Sequence, residues 1–135
     1  MRLLDAICIG DEFERIWTIS EDILAEFAKI SGDFNPLHTN DDFARKKGFP
    51  GKVAYGNILG LMISELVGMG LGDENVMLIS QRLDYKKPMF VGDVIVVTGV
   101  VSAISKTVKV VEMKLYFRNQ EEVVVAKGSC SLKCL

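Results

Sequence analysis

The sequence predicts an α+β fold, a single domain in which a five-stranded antiparallel sheet wraps around a long buried central helix. Three observations carry this. One strand-like segment precedes a helical region and four more follow it in succession, an order typical of α+β chains. The stretch from Gly56 to Gly70 is apolar on nearly every side, as a helix buried all round must be. At 135 residues the chain is long enough for one hydrophobic core without disulfides or metals, so residues 1–135 are expected to form one domain.

Glu12 to Thr18 reads as the first strand. Ser20 then suits a helix N-cap, with Glu21 and Asp22 in the first turn, where the helix dipole favours acids. Ile23, Leu24, Phe27 and Ala28 share one face of that helix. Ser31 to Asn40, rich in Gly, Asp, Asn and Pro, breaks it into irregular backbone. Asp41 to Lys47 reads as a short helical turn, and Gly48 to Gly51 as a loop punctuated by glycine and proline. After the apolar helix come four strands, Val76 to Tyr85, Asp93 to Ser102, Val108 to Arg118 and Glu122 to Cys134. In the third of these, Val111, Met113, Leu115 and Phe117 share one face; in the last, Val124, Ala126, Cys130 and Leu132 do. A sheet curled around the Gly56–Gly70 helix is the pattern of a hot-dog fold.

Composition narrows the function. Hydrophobic residues make up 49% and charged residues 25%, an ordinary globular balance. The net charge of -2 argues against nucleic-acid binding. The longest apolar run is cut by Ser64 and Glu65, far too short to span a bilayer. Met1 to Asp11 carries acids and lacks the layout of a signal peptide, so a cytoplasmic location is expected. Of the cysteines, Cys130 and Cys134 lie on one strand, about 13 Å apart and beyond disulfide reach. Together with Cys8 they are read as reduced core thiols, and with a single histidine no metal site is expected.

The stretch Ser31-Gly32-Asp33-Phe34-Asn35-Pro36-Leu37-His38 places a carboxylate, a carboxamide and the chain's only imidazole within six residues. Loop backbone lets side chains converge that would diverge on a helix. Asp, Asn and Pro are also ordinary turn formers, but turn formation accounts for neither Leu37 nor His38. A carboxylate and an imidazole sharing one water are what hydration of an activated double bond requires: one group takes a proton from the water and the other manages the proton reaching the α-carbon. An acyl thioester also needs its carbonyl oxygen stabilised as enolate charge builds. The N-terminus of the buried helix, opened by Gly56, offers free N–H groups there.

At these residues the chain resembles the MaoC-like or hydratase-2 family, which contains the (R)-specific enoyl-CoA hydratases. Its signature, Gly-Asp-x-Asn-Pro-(Leu/Ile/Val)-His, is matched at every fixed position by Gly32 to His38. The likeness continues through Phe43-Ala44, the Gly56 helix and Lys87-Pro88-Met89-Phe90-Val91-Gly92-Asp93, covering nearly the whole chain. The resemblance implies a hot-dog fold, dimerisation through joined sheets, and reversible syn hydration of trans-2-enoyl thioesters to (R)-3-hydroxyacyl thioesters. It implies that Asp33 and His38 activate the water, Asn35 orients it and the Gly56 N–H binds the thioester oxygen. No cofactor is implied beyond the CoA or phosphopantetheine that carries the acyl group. Ser64, where the family often has a serine, is expected to support Asp33, and Phe34 to contact substrate. Where family members commonly read His-Gly-Met, this chain has Tyr55-Gly56-Asn57. Tyr55 and Asn57 are therefore expected to reshape the wall beside the thioester.

Two other functions fit the same fold. One is an acyl-thioester binding module without catalysis, which would have no use for the Asp33–His38 pair. The other is a thioesterase with a carboxylate on the central helix, where Glu65 is the only acid and lies deep along it. Arg45-Lys46-Lys47 and Lys86-Lys87 are candidate anchors for the carrier's phosphates, or simply solvated faces. Gly48 to Val53 reads as a flap over the acyl tunnel or as a plain connector. A single curled sheet leaves strand edges exposed, which favours at least a dimer.

Overall fold

The computed structural model describes residues 2–135. The strand-forming segments build one sheet: β1 (Glu12–Thr18), β2 (Val76–Tyr85), β3 (Val94–Ser105), β4 (Val110–Arg118) and β5 (Val124–Cys134). The spatial order is β1-β3-β4-β5-β2 with every neighbouring pair antiparallel, so β1 and β2 form its two outer edges. The sheet closes around helix α5 (Ile58–Met69), as the sequence predicts. On α5, Ile58, Leu59, Met62, Ile63, Leu66 and Val67 are buried. They meet the inward residues of the sheet, among them Val97, Val111, Met113, Leu115 and Phe117, all at zero exposure. At Gly99 on β3, a Cβ would lie 3.0 Å from a Leu66 methyl, so a glycine there lets the helix settle closely onto the sheet.

The helix is not buried all round, contrary to the sequence expectation. Leu61 is 43% exposed, and Ser64, Gly68 and Met69 are also open to solvent. Five strands cover one side of α5 and leave this stripe facing outward. The alternation expected on β5 also fails at one point. The pairing slips beside Phe117/Arg118, so Val125 is buried while Val124 is only half-buried.

Helix α2 (Glu21–Ser31) begins as predicted, with the Ser20 hydroxyl accepting from the Ile23 N–H at 3.1 Å. It ends at Gly32, whose φ of 74° closes the helix in the left-handed region that glycine adopts freely. Ser31 to Asn40 is less irregular than expected: Pro36–Thr39 forms a helical turn, α3, capped by Asn35. Pro36 at its first position supplies a φ already suited to a helix. A second short helix, α4 (Asp41–Lys46), follows directly. A further short helix, α1 (Leu3–Ala6), had no sequence signal and is held by Leu3 in the core. Among the described residues no helix is long and apolar enough to cross a membrane. All three cysteines are free, and Cys8 is exposed rather than in the core.

Candidate active site

Ser31, Asp33 and Asn35 alternate for a physical reason. Each side-chain oxygen accepts from the N–H two residues ahead: Ser31 Oγ from Asp33 at 3.1 Å, Asp33 Oδ1 from Asn35 at 3.0 Å, and Asn35 Oδ1 from Leu37 at 2.9 Å. The turn-forming role is thus real for both Asp33 and Asn35, yet it uses one oxygen of each. Asp33 Oδ2 and the Asn35 amide nitrogen take no partner among the described residues, and both side chains face solvent.

His38 projects from α3 and is half-buried. Its Nδ1 lies 2.6 Å from the Val53 carbonyl. A carbonyl only accepts, so Nδ1 carries the hydrogen and, in the neutral ring, Nε2 keeps a free lone pair. The acceptor stays in place because Val53 donates its own N–H to the Leu37 carbonyl at 3.0 Å. Lys52 and Ala54 are tied similarly, to Asp41 Oδ1 at 2.9 Å and to the Met89 carbonyl at 2.7 Å. The Gly48–Val53 segment is therefore a pinned connector rather than a loose flap. No sequence signal marks Val53, since it acts through its backbone.

His38 stands between two clefts. One, of about 370 Å³, is shared with Val53, Gly56, Tyr85, Lys86 and Lys87. The other, of about 330 Å³, lies against α2 and includes Leu24, Phe34, Lys29 and Lys52. Asp33 lines neither. Of the two basic clusters, only Lys86-Lys87 borders a His38 cleft; Arg45 pairs with Asp42, and Lys47 lies over the Phe43 ring.

The helix start sits slightly later than predicted, with Asn57 at the N-cap position and Ile58 the first helical residue. Asn57 makes no side-chain cap bond, and its Oδ1 accepts instead from the Tyr85 hydroxyl at 3.2 Å. Among the described residues nothing accepts the Gly56 N–H, which leaves it open at the positive end of α5. The Tyr85 ring rests on Gly56, where a Cβ would lie 2.9 Å from it, so Tyr85 as well as any ligand requires glycine here. Sequence reasoning passed over Tyr85; burial holds its hydroxyl proton more tightly than usual.

The expected wall residues divide. Phe34 borders the cleft against α2. Tyr55 borders neither His38 cleft: it is 2% exposed, stacked on His38 with ring centroids 4.2 Å apart, and its hydroxyl donates to the Asp33 carbonyl at 2.5 Å. Burial, and secondarily the Asp33 charge, raise the Tyr55 pKa and keep it a donor. Ser64 lies on the exposed stripe of α5 with no bond to Asp33. Glu65 is engaged already, accepting from Trp17 Nε1 at 3.0 Å and pairing with Arg15 at 3.3 Å. No group of three metal-ligating side chains occurs among the described residues.

The sheet closed over α5, with an Asp-Asn-His loop beside that helix's N-terminal end, defines a hot-dog domain. The family described as MaoC like domain matches residues 9–126, and the chain belongs to it. It is similar to the mitochondrial 3-hydroxyacyl-[acyl-carrier-protein] dehydratase of Arabidopsis thaliana, 28% identical over 128 residues covering 91% of this chain and 75% of that protein. The (R)-specific enoyl-CoA hydratase of Aeromonas caviae is 29% identical over 110 residues, covering 82% of each chain. A solved structure of the A. caviae (R)-hydratase involved in PHA biosynthesis superposes with a TM-score of 0.91, at 25% identity, over 96% of this chain and 98% of that one.

Proposed function

We propose that this protein catalyses the reversible hydration of trans-2-enoyl thioesters to (R)-3-hydroxyacyl thioesters in the cytoplasm, without a cofactor beyond the carrier of the acyl group. The observation that carries the reading is the state of His38: its Nδ1–H is committed to Val53, and its free Nε2 belongs to a ring lining the same cleft as Gly56. In the hydration direction, Asp33 and His38 hold one water between them, with Asn35 orienting it. His38 Nε2 accepts a proton from that water as its oxygen bonds to C3 of the enoyl group. Electron density moves through C2 onto the thioester oxygen, where the Gly56 N–H and the α5 dipole stabilise it. His38 Nε2 then passes that proton to C2, which completes the addition with OH on C3 and H on C2 and returns the imidazole to its neutral form.

The carrier is CoA or the phosphopantetheine of an acyl carrier protein, and Lys86 and Lys87 at the Gly56 cleft suit its phosphates. One named relative is an acyl-carrier-protein dehydratase and the other an enoyl-CoA hydratase. The working unit is a homodimer joined along β2. That edge exposes Met77 and Ile79, each about half open. A thioesterase reading loses its base, because Glu65 is occupied by Trp17 and Arg15.

The test is loss of enoyl-thioester absorbance with crotonyl-CoA, longer 2-enoyl-CoAs and a crotonyl carrier protein, with product chirality determined. Formation of the (R)-3-hydroxy product establishes the reaction. Tight acyl-thioester binding with no turnover on any carrier would instead mark a binding module.

A further inference from the structure

We propose that Tyr55 is a positioning residue that ties both members of the reacting pair to the start of α5, an inference that rests on the roles assigned above to Asp33 and His38. Every other hydrogen bond made by Ser31 to Pro36 spans five residues or fewer among the described residues. These bonds shape the segment and join it only to its chain neighbours in α2 and α3. The Tyr55 hydroxyl on the Asp33 carbonyl crosses 22 residues and is the one that reaches beyond them.

The same side chain holds the imidazole. The His38 ring has the Val53 carbonyl at its Nδ1 edge and the Tyr55 ring on its face, 4.2 Å between centroids and 29° between planes. Phe27 of α2 backs Tyr55 at 4.5 Å, so three rings form one stack from α2 to His38. Aromatic pairs at these separations prefer particular geometries, and a ring 2% exposed has little freedom to leave. The Tyr55 backbone carbonyl accepts from the Ile58 N–H, and the next residue is Gly56. One residue therefore links the carboxylate loop, the imidazole and the oxyanion donor. Because it is 2% exposed while the Asp33 side chain is open to solvent, Tyr55 acts through these neighbours and not by touching substrate.

Tyr55→Phe removes the hydroxyl and keeps the stack, whereas Tyr55→Leu removes both; Asp33→Asn serves as the reference. In Tyr55→Phe we expect kcat to fall about 10- to 100-fold, the scale on which small misplacements act, with KM little changed and the fold intact. The chain's single histidine gives one set of imidazole NMR signals. The tyrosine ring should shield them, so they move downfield in Tyr55→Leu and hold in Tyr55→Phe, while the Asp33 and Phe34 amides move in both. Wild-type kcat and KM in Tyr55→Phe, with Asp33→Asn inactive, would overturn the inference and leave the proposed reaction standing. Full activity in Asp33→Asn would instead sink the reading of the pair, and the inference with it. If Tyr55→Leu fails to fold, Tyr55→Phe decides; if no enoyl thioester is turned over, unmoved Asp33 and Phe34 amides in Tyr55→Phe overturn it.

Discussion

Ser31 to Asn40 and helix α5 hold their shapes by opposite means. Most of the loop is exposed, its order coming from side-chain oxygens that each accept from an N–H two residues on. Helix α5 buries six apolar side chains against a sheet whose facing residues are shut off from solvent, and makes no side-chain cap bond at its N-terminus. The loop keeps a carboxylate oxygen, an amide nitrogen and an imidazole nitrogen uncommitted; the helix keeps the Gly56 N–H uncommitted. Chemistry and stability are thus assigned to different regions, and the two meet at Tyr55.

Substitutions should separate them. The largest effect is expected at the pair: Asp33→Asn and His38→Ala should each lower turnover by about 10²- to 10⁴-fold, the usual contribution of a positioned acid or base. Thermal midpoints should barely move for Asp33→Asn, because an Asn Oδ1 can still accept from the Asn35 N–H. A midpoint falling as far as the rate would break the division between the regions. Leu66→Ala should do the reverse. Deleting a fully buried leucine from the centre of α5 is expected to cost about 2–5 kcal/mol in urea unfolding, with near-normal turnover in the protein that remains folded.

The two sheet edges sharpen the contrast at smaller scale. β1 carries charges at Glu12, Glu14 and Arg15 and exposes a single large apolar side chain, Ile16, whereas the first half of β2 is the unbroken apolar run Val76-Met77-Leu78-Ile79. Ile79→Lys should therefore shift sedimentation from dimer to monomer, and Ile16→Lys on β1 should not. The smallest effect concerns the thiols. Burial pushes the Cys130 pKa up to about 11, so at pH 8 it stays protonated and slow to react. Cys8 is exposed, and a thiol reagent should show one fast-reacting group that disappears in Cys8→Ser.

Much of this architecture was legible in the residues. The two-residue period of β4 and the apolar run of Gly56 to Gly70 depend on local side-chain spacing, and both elements form, each starting two residues later than expected, at Val110 and Ile58. The Asp33–Asn35–His38 grouping was visible for the same reason, since six residues bring it together whatever the rest of the chain does. The bare stripe on α5, the slip at Val125 and the exposure of Cys8 were not, because each depends on how far the sheet wraps and where strand pairing slips. The sequence by itself determined which groups are available for chemistry and the order of the elements that carry them. Only the tertiary structure decided which atoms stay free: a backbone carbonyl at Val53 selects the His38 tautomer, and Tyr55, 22 residues from Asp33, holds the loop against the helix. Contacts of that kind join residues distant in the chain through backbone atoms and ring faces, and neither leaves a mark in local residue pattern.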